Sequence, residues 1–177
     1  MIKKALFFFL LPALIFSQAK VIHFKKLQDF LPKLNVEKFQ REKPTGSTQT
    51  AMGFTTSYAE VNYREQVPDT AQNYNPIEFS IKITDASLYP AMLMSFLMMP
   101  DYDSENDGGY EKTLMVKDKY KGMLRAQTEE SKSIELSFAV ANRFLIEIRG
   151  SNTDSFEMLQ SFLKDMDLEK LETAKPE

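Results

Sequence analysis

Apolar and polar residues alternate most cleanly over residues 77–84. Ile77, Phe79, Ile81 and Ile83 fall on one side there, and Glu78, Ser80, Lys82 and Thr84 on the other. A period of two predicts a strand with one buried and one wet face, the usual pattern of antiparallel sheets. Residues 55–65 repeat it, with Ala59, Val61 and Tyr63 set against Glu60, Asn62 and Arg64. Residues 110–116 and 119–127 predict two more strands, joined by a tight turn at Lys117 and Asp118. From Ile134 to Ile148 the apolar parity runs on through Leu136, Phe138, Val140, Phe144 and Ile146. That stretch reads either as one long strand or as two strands bent near Ala141 and Asn142.

Helical spacing appears at three places. Phe24, Leu27, Phe30 and Leu31 share one helix face, and Pro32 ends it. Residues 85–99 are long, mostly unbranched side chains with Pro90 suited to a first turn. A final helix, capped at Thr153 or Asp154, carries the stripe Phe156, Leu159, Phe162, Leu163 and Met166 to about residue 165. Leu168 and Leu171 predict a docked extension over 167–171, and residues 173–177 a tail. Residues 35–53 lack a period and read as a loop with one short strand, residues 66–76 as a polar loop, and residues 101–109 as an acidic loop. The order α-β-β-α-β-β-β-α predicts one α+β domain over residues 20–172, an antiparallel sheet of about five to six strands with helices packed on one face.

The first nineteen residues stand apart. Lys3 and Lys4 precede an apolar run of twelve residues, Ala5 to Phe16, and Ser17 and Ala19 are small residues before Lys20. This reads as a signal peptide cut after Ala19 rather than a spanning helix, which needs about 20 apolar residues. The expected product is exported to the periplasm or released, with no transmembrane span left after cleavage. Losing Lys3 and Lys4 and no acid takes the net charge of the 177-residue chain from -3 to -5.

Composition then removes whole classes of chemistry. The chain has no Cys and one His. Disulfide scaffolds, thiol catalysis, Cys-bearing zinc sites, c-type haem attachment and Cys-anchored lipidation are excluded. A Ser-His-Asp triad would have to use His23, which reads as a surface histidine. The acidic balance gives no case for nucleic acid. An exported chain without disulfides must be stabilised by its core alone.

Several short fragments resemble an uncharacterised family of secreted and lipoprotein-type bacterial proteins. They are Phe30-Leu31-Pro32, Ser57-Tyr58-Ala59, Ile81-Lys82-Ile83-Thr84-Asp85, Gly109-Tyr110-Glu111-Lys112, Tyr120-Lys121-Gly122, Asn142-Arg143-Phe144 and Asp167-Leu168-Glu169-Lys170-Leu171. They span most of residues 20–177 in order, although the chain lacks the lipobox cysteine of the lipoprotein relatives. The element order is also similar to PsbP- and Mog1-type sandwiches, a likeness of fold that implies no activity. The family resemblance implies no reaction and carries no catalytic residue.

Three constellations are candidates for function. Asp103, Glu105, Asp107 and Gly108 match the opening of a calcium loop, with Glu111 at its ninth position. Leu114 stands where the twelfth, bidentate Glu belongs, so the pattern implies at most weak Ca²⁺ binding, and a solvated turn is the simpler reading. Met92, Met94, Met98 and Met99 crowd one predicted helix. Thioethers suit Cu(I), but two helix faces divide these four. Flexible core filling is the ordinary role, and the alternative is an adaptable groove in which Met94, Phe96, Met98 and Met99 hold an apolar ligand or an envelope protein segment. Arg143 interrupts an apolar run at the strand bend, and Glu60, Asp85 and Glu111 are its candidate partners in a structural ion pair. The expected function is a non-catalytic exported binding or assembly protein, with an envelope enzyme using carboxylates or a bound metal as the alternative.

Overall fold

The computed structural model describes residues 20–51, 54–67, 74–87, 90–129 and 131–176. Its elements are α1 (Phe24–Leu27, continued by a 3-10 turn, Gln28–Phe30), β1 (Phe39–Arg41), β2 (Thr45–Ala51), β3 (Phe54–Glu65), β4 (Glu78–Asp85), α2 (Pro90–Leu97), β5 (Asp103–Asn106), β6 (Gly109–Val116), β7 (Tyr120–Gln127), β8 (Ser133–Val140), β9 (Phe144–Ser151), α3 (Phe156–Asp165) and α4 (Leu168–Glu172). The expected signal peptide, residues 1–19, lies outside the described residues.

Every strand belongs to one antiparallel sheet of nine strands, ordered β1-β3-β4-β9-β8-β7-β6-β5, with β2 also paired to β3. The sheet is larger than the five to six strands expected. Two of the nine, β1 and β2, lie in residues 35–53, where a loop with one short strand was expected. β2 reads TGSTQTA and is uniformly polar or small, so it shows no period although it pairs in register with β3 from Thr45↔Glu60 to Ala51↔Phe54. Another strand, β5, lies in the acidic stretch and is exposed along its whole length.

The inner face holds the core. Ala59, Val61, Tyr63, Phe79, Ile81, Ile83, Leu124, Leu136, Phe138, Ile146 and Ile148 are all buried there against α1, α3 and α4. The predicted final helix is α3, but Ser155 caps it, accepting from the Met158 amide at 3.4 Å. Phe162 of α3 sits 4.7 Å from the Tyr63 ring and 5.3 Å from the Phe79 ring, so the helix is wedged across β3 and β4. Gly46 allows α1 to approach, because a Cβ there would run into the Phe24 ring and the Tyr58 carbonyl.

One helix breaks the one-face expectation. Leu93 of α2 is buried with Ala86, Ala139 and Leu145, a cluster separate from the main core. Ala139 and Leu145 point opposite to Phe138, Val140, Phe144 and Ile146, so α2 lies on the outer face. A helix without a charged residue has no polar side to declare its orientation, and only the two apolar outer positions of β8 and β9 fix it.

The parity between Ile134 and Ile148 is kept by two strands and a tight turn. Ala141 and Asn142 are both left-handed, at φ 54° and 50°, and the Arg143 amide donates to the Val140 carbonyl at 3.0 Å. Lys117 and Asp118 make the same kind of turn at φ 49° and 55°. A left-handed alanine costs an L-residue roughly 1–2 kcal/mol that glycine avoids. Ala141→Gly is therefore expected to stabilise the fold by about 1 kcal/mol and raise Tm by about 2–4 °C in a domain of this size. Thermal denaturation followed by circular dichroism checks it, and an unchanged or lower Tm contradicts the reading.

Candidate functional site

α2 reads PAMLMSFL and is apolar but for Ser95, and such a helix is normally covered on most sides. Here one side is covered. Leu93 is buried and Phe96 half-buried against the sheet. Met94, Leu97 and Met98 point the other way with 46%, 50% and 74% of their surfaces exposed. Their spacing of three and four places them side by side on one stripe.

The expected groove residues therefore divide. Phe96 and Met99 line a depression of about 310 Å³ between the helix and the outer face, closed on the sheet side by Met123, Arg125, Glu135 and Ser137. Met94 and Met98 stand outside it on the exposed stripe. The apolar surface continues past the helix. Tyr102 and Met115 are both exposed and line a neighbouring depression of about 480 Å³. The Tyr102 amide donates to Thr113 Oγ1 at 3.0 Å, which holds this loop against β6. Among the described residues, six large hydrophobic side chains are exposed, and all but Tyr74 belong to this region. Sequence reasoning missed Leu97 and Tyr102. Leu97 was findable from its spacing to Met94, but Tyr102 needed the fold.

The acidic residues are arranged as a hairpin rather than a chelating loop. β5 pairs with β6 so that Asp103 faces Lys112, Ser104 faces Glu111 and Glu105 faces Tyr110. Cross-strand partners share a face, so Asp103 and Glu105 lie on the inner side and Glu111 on the outer side. Asp107 lies in the turn beyond the strand. Glu111 is taken by Arg125, whose Nε donates to it at 2.7 Å. The four expected ligands are not gathered, and among the described residues no three acids or histidines converge on one point. The carboxylates with displaced pKa values are not poised as general acids either. Asp101 is held low by its hydrogen bond to Lys121, and Glu172 by its hydrogen bond to Lys119. Burial pushes the Tyr63 and Tyr120 phenols up, away from nucleophilic use at neutral pH. His23 is exposed and caps α1, its Nδ1 accepting from the Lys25 amide at 3.3 Å.

No family model, curated protein or solved structure matches this chain.

Arg143 does have a carboxylate, and it is Asp85. Its Nη2 and Nε donate to the two oxygens at 2.7 and 3.2 Å, while Asp85 is fully buried. Asp85 accepts further bonds from the Ile22 amide at 2.7 Å, the Ser87 hydroxyl at 2.6 Å and the Ser87 amide at 3.1 Å. Arg143 also donates to the carbonyls of Lys20 and Ala174. The expected tail is thus tied down at Ala174. Removing one partner of a buried pair leaves an uncompensated charge and costs roughly 3–5 kcal/mol. Arg143→Ala and Asp85→Ala are each expected to destabilise by about that much, with a double variant far less than additive. Urea denaturation measures all three, and single costs under about 1 kcal/mol would remove the pair from its structural role.

Proposed function

We propose that this is a non-catalytic, exported binding or assembly protein of the cell envelope, and that its docking surface is the outer stripe of α2. The carrying observation is the exposure of Met94, Leu97 and Met98 on a helix with no charged residue. Contiguous exposed apolar surface on a single chain marks a contact site for another molecule, and methionine-rich surfaces adapt to partners. The adjoining depressions are shallow rather than enclosed, which suits a polypeptide segment better than a sequestered small ligand. A complementary segment therefore has apolar anchors spaced to meet Met94, Leu97 and Met98. Export is supported by the N-terminal pattern of Lys3, Lys4, the apolar run and the small residues Ser17 and Ala19.

The reading is tested by a photo-crosslinking amino acid at position 98 in cells, with position 157 on the exposed side of α3 as the control. A polypeptide adduct from 98 and none from 157 is expected. Leu97→Glu should abolish the adduct while moving stability by no more than about 0.5 kcal/mol, because that side chain is half exposed. A lipid adduct in place of a polypeptide one would favour the apolar-ligand reading. Equal adducts from both positions, or none from 98, would discard the docking surface.

A further inference from the structure

A second surface, independent of α2, lies at the other end of the sheet. β2 pairs with β3 on one side, and among the described residues no strand lies on its other side. Only residues 52 and 53 separate the closing pair Ala51↔Phe54. A two-residue connection makes that closing pair a hydrogen-bonded one, and bonded and non-bonded pairs alternate from there. Gln49↔Thr56, Ser47↔Tyr58 and Thr45↔Glu60 are then the bonded pairs. Gly46, Thr48 and Thr50 aim their N–H and C=O groups outward, and no backbone bond outside the sheet ladders reaches them.

An open edge of this kind is ordinarily blocked by charge, proline or a bulge. β2 has none of these within it. TGSTQTA carries no charged residue and no proline over seven residues. The opposite edge of the sheet does carry the block. β5 is four residues long and presents Asp103 and Glu105, with Asp107 next in the turn. Two β5 edges repel each other, and two β2 edges do not.

We propose that two copies of this chain join their sheets edge to edge through β2, about a two-fold axis at Thr48. In that antiparallel register Thr48 faces Thr48 of the second copy, and Gly46 faces its Thr50. Every outward N–H and C=O on both strands is then used, because the bonded residues on each side are the same three. The pairing is isologous and closes at two copies, since each copy's β2 edge is used once and the opposite edge of the sheet is the acidic one. Ser47 comes to lie opposite Gln49 of the second copy, on the outer face of the joined sheet.

The register provides the test. The full-length coding sequence is expressed, the protein is recovered from the cells, and its mass is measured by sedimentation from about 10 to 500 µM, a range suited to the modest area of one strand pair. The wild type is expected to rise to twice its monomer mass. Ser47→Lys with Gln49→Lys sets lysine against lysine and should hold the protein monomeric. Ser47→Lys with Gln49→Glu sets lysine against glutamate and should restore the dimer. Amide exchange at Gly46, Thr48 and Thr50 in the wild type should slow as the dimer fills, a readout that needs no variant. Met98→Glu should leave the dimer intact. A wild type that stays monomeric throughout overturns the proposal, as does a double-lysine variant that dimerises like the wild type. Failure of the lysine–glutamate variant to restore the dimer, unprotected amides in a wild-type dimer, or a dimer lost in Met98→Glu would each overturn it too.

Discussion

A single buried carboxylate decides where the chain can go. Asp85 ends β4 opposite Phe144 and has no exposed surface. An ionised carboxylate in that position is tolerable only when its oxygens are saturated by donors. Five donor contacts converge on it, from Ile22, Ser87 and Arg143. Because the donors come from the start of the described chain, the second residue after β4 and the β8–β9 turn, satisfying one charge fixes three segments at once. Arg143 adds the carbonyls of Lys20 and Ala174, so both ends of the described chain meet at the same end of the sheet.

That constraint also sets the position of α2. As the chain leaves β4, the Ala86 amide donates to the Arg143 carbonyl at 2.8 Å. Ala86 is one of the few buried residues under α2, with Leu93, Ala139 and Leu145. Burying one leucine side chain is worth roughly 1.5–3 kcal/mol, so this small cluster holds the helix far less strongly than the inner core holds α3. Beyond Met115 and Met123 the outer face is largely polar, as where Arg149 pairs with both Glu135 and Glu147. The helix sits over the apolar pair Ala139 and Leu145, and among the described residues nothing covers the stripe of Met94, Leu97 and Met98. An exposed stripe on a lightly held element is the physical basis for a surface that adapts to what it meets.

What was legible in the sequence follows from which physical signals are local. The strands of the central sheet announced themselves because Phe79, Ile81 and Ile83, or Leu136 and Phe138, must alternate to bury one face. β2 showed no period because its inner positions are Gly46, Thr48 and Thr50, none of them large and apolar. β5 was masked because charge at a sheet edge and charge in a loop look alike along a chain. The partner of Arg143 was narrowed to three acids by local reasoning. Only the pairing of β4 with β9, across sixty residues of sequence, selects Asp85 over Glu60 and Glu111. The metal-like spacing of Asp103, Glu105 and Asp107 failed for a related reason: an extended strand sets Asp103 and Glu105 side by side on one face and leaves Glu111 on the other, whereas a chelating loop curls its ligands inward to one point.

The two unpartnered surfaces are far enough apart to be used together. α2 packs over β7 and β8, while β2 is bonded to β3. Between β3 and β8 lie β4 and β9. At about 4.8 Å per strand, the four spacings from β2 to β8 separate the β2 edge from the helix by roughly 19 Å. Their chemistry differs as well. The stripe offers apolar side chains and no free backbone, and the edge offers backbone and no apolar side chains. A molecule suited to one is therefore poorly suited to the other, and filling either leaves the second open. A chain with one such surface can only form a pair. A chain with two dissimilar ones can join its own copy and still present a helix to a third partner, which is the minimum an assembly component requires.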